Sequence, residues 1–263
     1  MSDLESLSLV DSHAHIQGKE YAGDVEAVIA RARDAGVDKI IAVGGAGEMS
    51  SNDDAVALAD SYENIYATVG MHPHDAKDVG AEELEKLRDL TVHPKVIAIG
   101  ETGLDYYYSH SAHDVQRRVF IDFINLARQT GLPLVVHERS AAEDAAQLLR
   151  SEGNGDLRGV IHCFTGNYEA ACAYLDLGFY LSFTGIITFK NAEPLRDVLR
   201  QVPLEKILIE TDSPYLTPVP HRGKRNEPGY VRLVAETLAI VKSVPLEEVA
   251  HITSANVRDL FRI

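Results

Sequence analysis

Asp11-Ser12-His13-Ala14-His15 sets two imidazoles two positions apart. Side chains at that spacing on an extended chain point to the same side, so His13 and His15 can share one divalent cation. Glu101 lies just past the apolar run Val96-Ile97-Ala98-Ile99. A carboxylate there has lone pairs enough to bridge two cations; a helix cap or a salt bridge is the alternative. His137 ends the run Leu134-Val135-Val136, and His162 ends Gly159-Val160-Ile161. For either alone, a hydrogen-bonded core histidine would serve as explanation. After Ile207-Leu208-Ile209 come Glu210 and Asp212, the second a further candidate ligand, the first a support for a ligand or the partner of a nearby cation. Six side chains of the types divalent metals use, each at the end of an apolar run, are hard to obtain from six unrelated causes. The chemistry they suggest is metal-assisted hydrolysis.

The elements that must position them alternate between strand-like runs and amphipathic stretches, the pattern of βαβ units and a parallel sheet. Eight runs are predicted: Leu7 to Asp11, Lys39 to Val43, Ile65 to Gly70, Val96 to Gly100, Pro133 to His137, Gly159 to His162, Phe179 to Phe183 and Ile207 to Glu210. Helical spacing of apolar residues marks Asp24 to Ala35, Ala81 to Leu90, Asp114 to Gln129, Ala141 to Arg150 and Ala192 to Arg200 between them. Gly36, Gly131 and Gly178 stand where a helix end favours positive φ. A polar loop from Asp212 to Pro228 precedes two C-terminal helices, Gly229 to Ser243 and Pro245 to Phe261. The fold class is α/β, a single (β/α)8 TIM barrel over residues 1–263, for which this length is ordinary. All six candidate ligands then fall at the C-terminal ends of strands, the face where such barrels place their active sites.

Bulk properties narrow the function. Hydrophobic residues make up 45% of the 263, and charged ones 25%, as in an ordinary folded protein. No apolar stretch approaches a membrane span, and Met1 to Val10 carries no basic run of a targeting signal. Cys163 and Cys172 are poor evidence for a disulfide framework. These features point to a cytoplasmic protein, with no membrane and no obligate protein partner evident. A formal charge of −15 excludes a surface that coats nucleic acid by general electrostatics; a polyanionic substrate would need local cations or metal ions.

The chain closely resembles the TatD family of metal-dependent hydrolases. The motifs are Asp-Ser-His-Ala-His from Asp11, Gly-Met-His-Pro-His from Gly70, Gly-Glu-Thr-Gly-Leu-Asp-Tyr from Gly100, His-Glu-Arg from His137, His-Cys-Phe-Thr-Gly from His162 and Glu-Thr-Asp-Ser-Pro from Glu210. They stand in the family's order, and the loop from His221 to Pro228 extends the match. The resemblance implies an amidohydrolase-type barrel and deoxyribonuclease activity of the 3′–5′ exonuclease type, through metal-activated water. It also implies two divalent ions, Mg²⁺, Mn²⁺ or Zn²⁺: one held by His13, His15, Glu101 and Asp212, the other by Glu101, His137 and His162. Asp212 would in addition accept a proton from the attacking water, making it and Glu101 the catalytic residues. Gln17 departs from the pattern, since the family usually shows an acid there, which puts the tuning of the first ion in doubt.

Further residues are candidates for substrate contact. His72 and His74 follow the third strand and can donate to a phosphate oxygen, or merely stiffen a loop. Arg222, Lys224 and Arg225, after strand eight, supply a cluster that can grip phosphates, with a solvated turn as the alternative. Tyr106, Tyr107 and Tyr108 can stack on bases, though a plain loop suits at least two of them. Arg139 can reach the mouth or form an ordinary salt bridge. The expected partner is DNA, single-stranded or with frayed ends, with RNA or tRNA behind it. The alternative reaction is hydrolysis of a carboxylic ester or amide, such as D-aminoacyl-tRNA deacylation; a non-catalytic binding module is the third class.

Overall fold

A computed structural model describes residues 7–263; residues 1–6, and with them most of the N-terminal stretch searched for a targeting signal, lie outside the described residues. Eight parallel strands form a nearly closed (β/α)8 barrel in sequence order. They are β1 (Leu9–Ala14), β2 (Val37–Val43), β3 (Ile65–Val69), β4 (Val96–Asp105), β5 (Leu134–Arg139), β6 (Gly159–Ile161), β7 (Tyr180–Phe183) and β8 (Ile207–Ile209). Between and after them run α1 (Val25–Asp34), α2 (Ser50–Ser61), α3 (Ala81–Leu90), α4 (His113–Thr130), α5 (Ala142–Glu152), α6 (Tyr168–Leu175), α7 (Glu193–Gln201), α8 (Val231–Lys242) and α9 (Leu246–Phe261). No helix among the described residues is long and apolar enough to cross a membrane. Both cysteines are free thiols. Gly36, Gly131 and Gly178 do adopt positive φ.

The two faces of each strand feed two apolar layers. Leu9, Ile40, Ala67, Ile99, Leu134 and Ile161 pack outward against the helices. Val10, Ile41, Val43, Ile97, Val135, Val160 and Leu208 fill the barrel, whose lower end is closed by Val257, Leu260 and Phe261 of α9. Each such side chain contributes roughly 1.5–3 kcal/mol by leaving water. The upper half of the barrel has no such filling, and there the polar residues gather.

Two strands depart from the predicted bounds by three residues or more at one end. β1 begins and ends later than expected, so that His13 lies inside it, and β4 continues five residues beyond Gly100. Both carry an irregularity in register. Between Asp11 and Ala14 β1 advances three residues while β2 advances two, from Ile40 to Ala42. Between Ile99 and Thr102 β4 does the same against Leu134 and Val136 of β5. An inserted residue re-aims the side chains beside it, and here those are His13 and Glu101. Gly100 has φ 145°, and a Cβ there would lie 2.4 Å from the Val135 carbonyl oxygen. At Gly103 (φ 139°) it would lie 2.1 Å from that of His137. Only glycine lets β4 run this close to β5.

The barrel closes just above β8. Asp212 donates its N–H to the His13 carbonyl (2.9 Å), and His15 to that of Ser213 (2.8 Å). The buried Asp11 carboxylate accepts the Thr211 N–H (2.8 Å) and hydroxyl (2.6 Å), stapling the segment that carries Asp212 to β1. Its own burial pushes that carboxyl up to about 8, against these hydrogen bonds.

Candidate metal centre

Six side chains singled out from the sequence, His13, His15, Glu101, His137, His162 and Asp212, converge at the upper end of the barrel. Glu101 lies at their centre, 3% exposed, and its two oxygens face different partners. Oε2 is 3.5 Å from Nε2 of His13 and 3.8 Å from Nε2 of His15. Asp212 Oδ1 completes that group at 3.8 and 3.6 Å from the same two nitrogens. Oε1 is 2.8 Å from Nδ1 of His137 and 3.0 Å from Nε2 of His162.

Three of the four imidazoles, those of His15, His137 and His162, are oriented by what their other nitrogen meets. His15 Nδ1 lies 3.0 Å from the Val43 carbonyl, which can only accept, so Nε2 turns its lone pair inward. His162 Nδ1 meets Glu210 Oε1 at 3.0 Å, and His137 Nε2 meets Asp105 Oδ2 at 3.3 Å, with the same result. Glu210 Oε1 also accepts the Cys163 N–H at 2.7 Å, so Glu210 holds His162 rather than facing the cavity. His72 differs. Its Nδ1 accepts the His74 N–H at 3.1 Å, which leaves the proton on Nε2, 3.5 Å from Glu101 Oε1. His72 is therefore a donor beside the centre, although His72, Glu101 and His137 lie close enough together to hold an ion.

The set fits divalent cations. His13 and His15 bring their Nε2 atoms to 3.2 Å, and His13 Nδ1 is buried without a partner. Lone pairs turned on one another at that separation repel unless a proton or a metal cation lies between them. Donor atoms in a tetrahedral shell of radius about 2.1 Å are about 3.4 Å apart, within the spacing found here. Nitrogen and carboxylate donors suit Zn²⁺ or Mn²⁺, and carboxylates Mg²⁺.

Burial and mutual charge set the protonation states of the cation-free site. Burial pushes the Asp212 carboxyl up to about 6, the nearby His162 and His13 opposing it. Burial, and then His13, lowers His15 to about 4. For Glu101 burial works upward, but the charges of His162 and His72 and hydrogen bonds from His13 and His137 outweigh it and hold the carboxyl well below its ordinary range. Burial opposes charge on His162 too, yet Glu101 and Glu210 raise it well above the usual imidazole value.

An open cavity of about 900 Å³ lies over the centre, its walls including His72, His74, Lys77, Tyr108, Arg139 and Tyr215. His74 bonds Asp105 Oδ2 at 2.9 Å. Arg222, Lys224 and Arg225, the cluster expected after strand eight, do not line this cavity. Arg225 is held by Asp24 in two bonds of 2.8 and 2.7 Å, and Arg222 lies over the Phe189 ring and donates to the Thr217 carbonyl. Lys224 points into solvent. Asp105 was quoted only as part of a motif, and Lys77 and Tyr215 carried no signal. Gln17 donates to the same Val43 carbonyl as His15, at 2.7 Å, a bond the usual acid could make only when protonated.

Fold and site together define a barrel of the metal-dependent hydrolase kind. The chain belongs to the TatD related DNase family, whose model matches residues 10–262. A relative in Bacillus subtilis, the uncharacterized metal-dependent hydrolase YabD, is 45% identical over 97% of this chain and 99% of its own length. The 3′-5′ ssDNA/RNA exonuclease TatD of Shigella flexneri is 34% identical over 97% of this chain and 99% of its own. The crystal structure of YJJV, a TatD homologue from Escherichia coli K12, superposes with a TM-score of 0.91 at 30% identity, covering 97% and 98% of the two chains.

Proposed function

We propose that this protein is a deoxyribonuclease that uses two divalent ions to remove nucleotides from the 3′ end of single-stranded or frayed DNA. The observation that carries the reading is the division of Glu101, one oxygen toward His13, His15 and Asp212, the other toward His137 and His162, on the floor of an open cavity. The name of the Shigella relative supports the substrate class. Ions held there would activate water and neutralise the charge that builds on a phosphodiester.

The chain's own residues supply the rest. Asp212, whose carboxylate faces His13 and His15 on the cavity floor, would accept the proton of the attacking water. His72, with its proton on Nε2, donates toward a phosphate oxygen, and His74 stands beside it, fixed by Asp105. Lys77 and Arg139 bring positive charge to the cavity wall. Glu210 and Asp105 keep His162 and His137 in register.

The test is metal-stripped protein resupplied with Mg²⁺, Mn²⁺ or Zn²⁺ and given end-labelled single strands. Shortening from the 3′ end with release of mononucleotides is expected. Release of amino acid from D-aminoacyl-tRNA with no cleavage of DNA would move the site to carboxylic esters, and a metal-loaded protein inert on both would be a binding module.

A further inference from the structure

Above the metal centre, the turn after β4 carries three tyrosines with different fates. Tyr106 is committed to the fold: its hydroxyl bonds Asp144 at 2.7 Å and its ring stacks on His113. Tyr107 and Tyr108 are 63% and 50% exposed, an uncommon state for two large adjacent rings. They meet edge to face with centroids 4.9 Å apart, and the Arg139 guanidinium lies over both, 4.4 and 4.6 Å from the centroids. Tyr108 also packs against His74 (5.5 Å) and lines the cavity.

One carboxylate ties this turn to the chemistry. Asp105 Oδ1 accepts the N–H groups of both Tyr107 and Tyr108, each at 2.9 Å. Its other oxygen meets His74 at 2.9 Å and His137 at 3.3 Å. The rings are thus held in fixed register with a candidate metal ligand, two ring contacts away.

We infer that Tyr108, braced by Tyr107 and Arg139, is a stacking platform for a nucleobase next to the scissile phosphate. This rests on the nuclease reading and adds to it where the substrate lies: along the β3 to β5 wall. Aromatic faces accept any base, because every base offers a π-face, and a neighbouring guanidinium adds both cation–π contact and charge for a phosphate. A rigid, pre-braced ring loses little entropy when a base settles on it. The platform would select a strand whose bases are unpaired.

The experiment compares parent, Tyr108→Ala and Tyr108→Trp on two single strands, one ordinary and one whose last three 3′ nucleotides lack bases. Stacking gives Tyr108→Ala a KM on the ordinary strand between about five-fold and a hundred-fold higher. No further change is expected on the base-free strand, which the parent itself should bind poorly; Tyr108→Trp should restore the parent KM. Equal losses on both strands, in a variant with parental circular dichroism and metal content, would overturn the platform and leave the nuclease reading standing. A parent that cleaves neither strand would overturn the nuclease reading and the platform with it.

Discussion

Replacing Glu101 by alanine should do more damage than replacing any one histidine, by an amount the geometry specifies. His15 faces the Oε2 group alone, whereas Glu101 faces both groups. Even residues that only orient ligands change metal affinity or activity by about 10–100-fold. If one lost contact per ion costs at least that, His15→Ala should fall by about 10–100-fold. Glu101→Ala should fall by the product of two such losses, about 10²–10⁴, or about 3–5 kcal/mol at 1.36 kcal/mol per decade. The assay is kcat/KM on a single strand together with metal content by mass spectrometry, at pH 7 and at limiting and saturating metal. Glu101→Gln serves as a folding control, because it keeps the shape while removing the charge that faces five imidazoles within 3.8 Å. A Glu101→Ala protein that kept two ions, or that lost no more activity than His15→Ala, would refute the shared carboxylate.

Other consequences separate the parts of the site. Asp212→Asn should lower the rate by about 10²–10⁴, because an amide cannot take the proton of the attacking water; an unchanged rate at saturating metal would remove Asp212 from the chemistry. In the cation-free protein the same raised carboxyl stabilises the fold below pH 3.8 and loses that contribution as pH rises through about 6. Asp212→Asn should thus be the more stable at pH 8 by about 3 kcal/mol, with no difference near pH 4 by thermal unfolding. Lys77→Ala should flatten the dependence of log affinity for single strands on log salt by about 0.7, whereas Lys224→Ala should leave it unchanged; the reverse would return the substrate to the loop after β8. Asp105→Asn presents an amide N–H to the His137 N–H and should weaken metal binding by about 10–100-fold in a calorimetric titration; unaltered affinity would detach Asp105 from the centre.

The barrel was legible because every strand but β1, β4 and β5 ends within a residue of its predicted end. α3 coincides with the predicted Ala81 to Leu90, since Leu84, Leu87 and Leu90 keep helical spacing. β4 was cut short because Gly100, Glu101, Thr102 and Gly103 look like a turn, and only pairing with β5 makes them strand. α2, opening Ser-Ser-Asn-Asp, shows little apolar spacing, and Ala55, Val56 and Ala59 become a buried face only against the sheet. Within the site, the six candidate ligands were visible by type and position. Of their partners Glu210 was visible too, but Asp105 and Asp11 were not, because they act through contacts that span 32 residues to His137 and 200 to Thr211. For the loop cations, charge and strand order indicated the face, while the pairing of Arg225 with Asp24 on the approach to α1 is a contact between distant segments that spacing does not show.

The pairing of Arg225 with Asp24 bears on how, on the proposed reading, a chain of net charge −15 would act on a polyanion. Of its 25 lysines and arginines, Lys77 and Arg139 line the cavity, and Arg139 is already spread over two tyrosine rings. Two phosphate contacts would give a salt slope of only about −1.4 for a single strand, weak beside proteins that hold long tracts. On the nuclease reading, most of the positive field would then come from divalent ions, which would act over one phosphodiester rather than along a groove. Binding energy concentrated at one linkage and one stacked base favours a strand end, where a single unpaired nucleotide can be seated without gripping its neighbours. On the proposed reading, exonucleolytic action thus follows from where the cations are. An interior-cleaving protein of this charge would need the basic track that the loop after β8 does not provide.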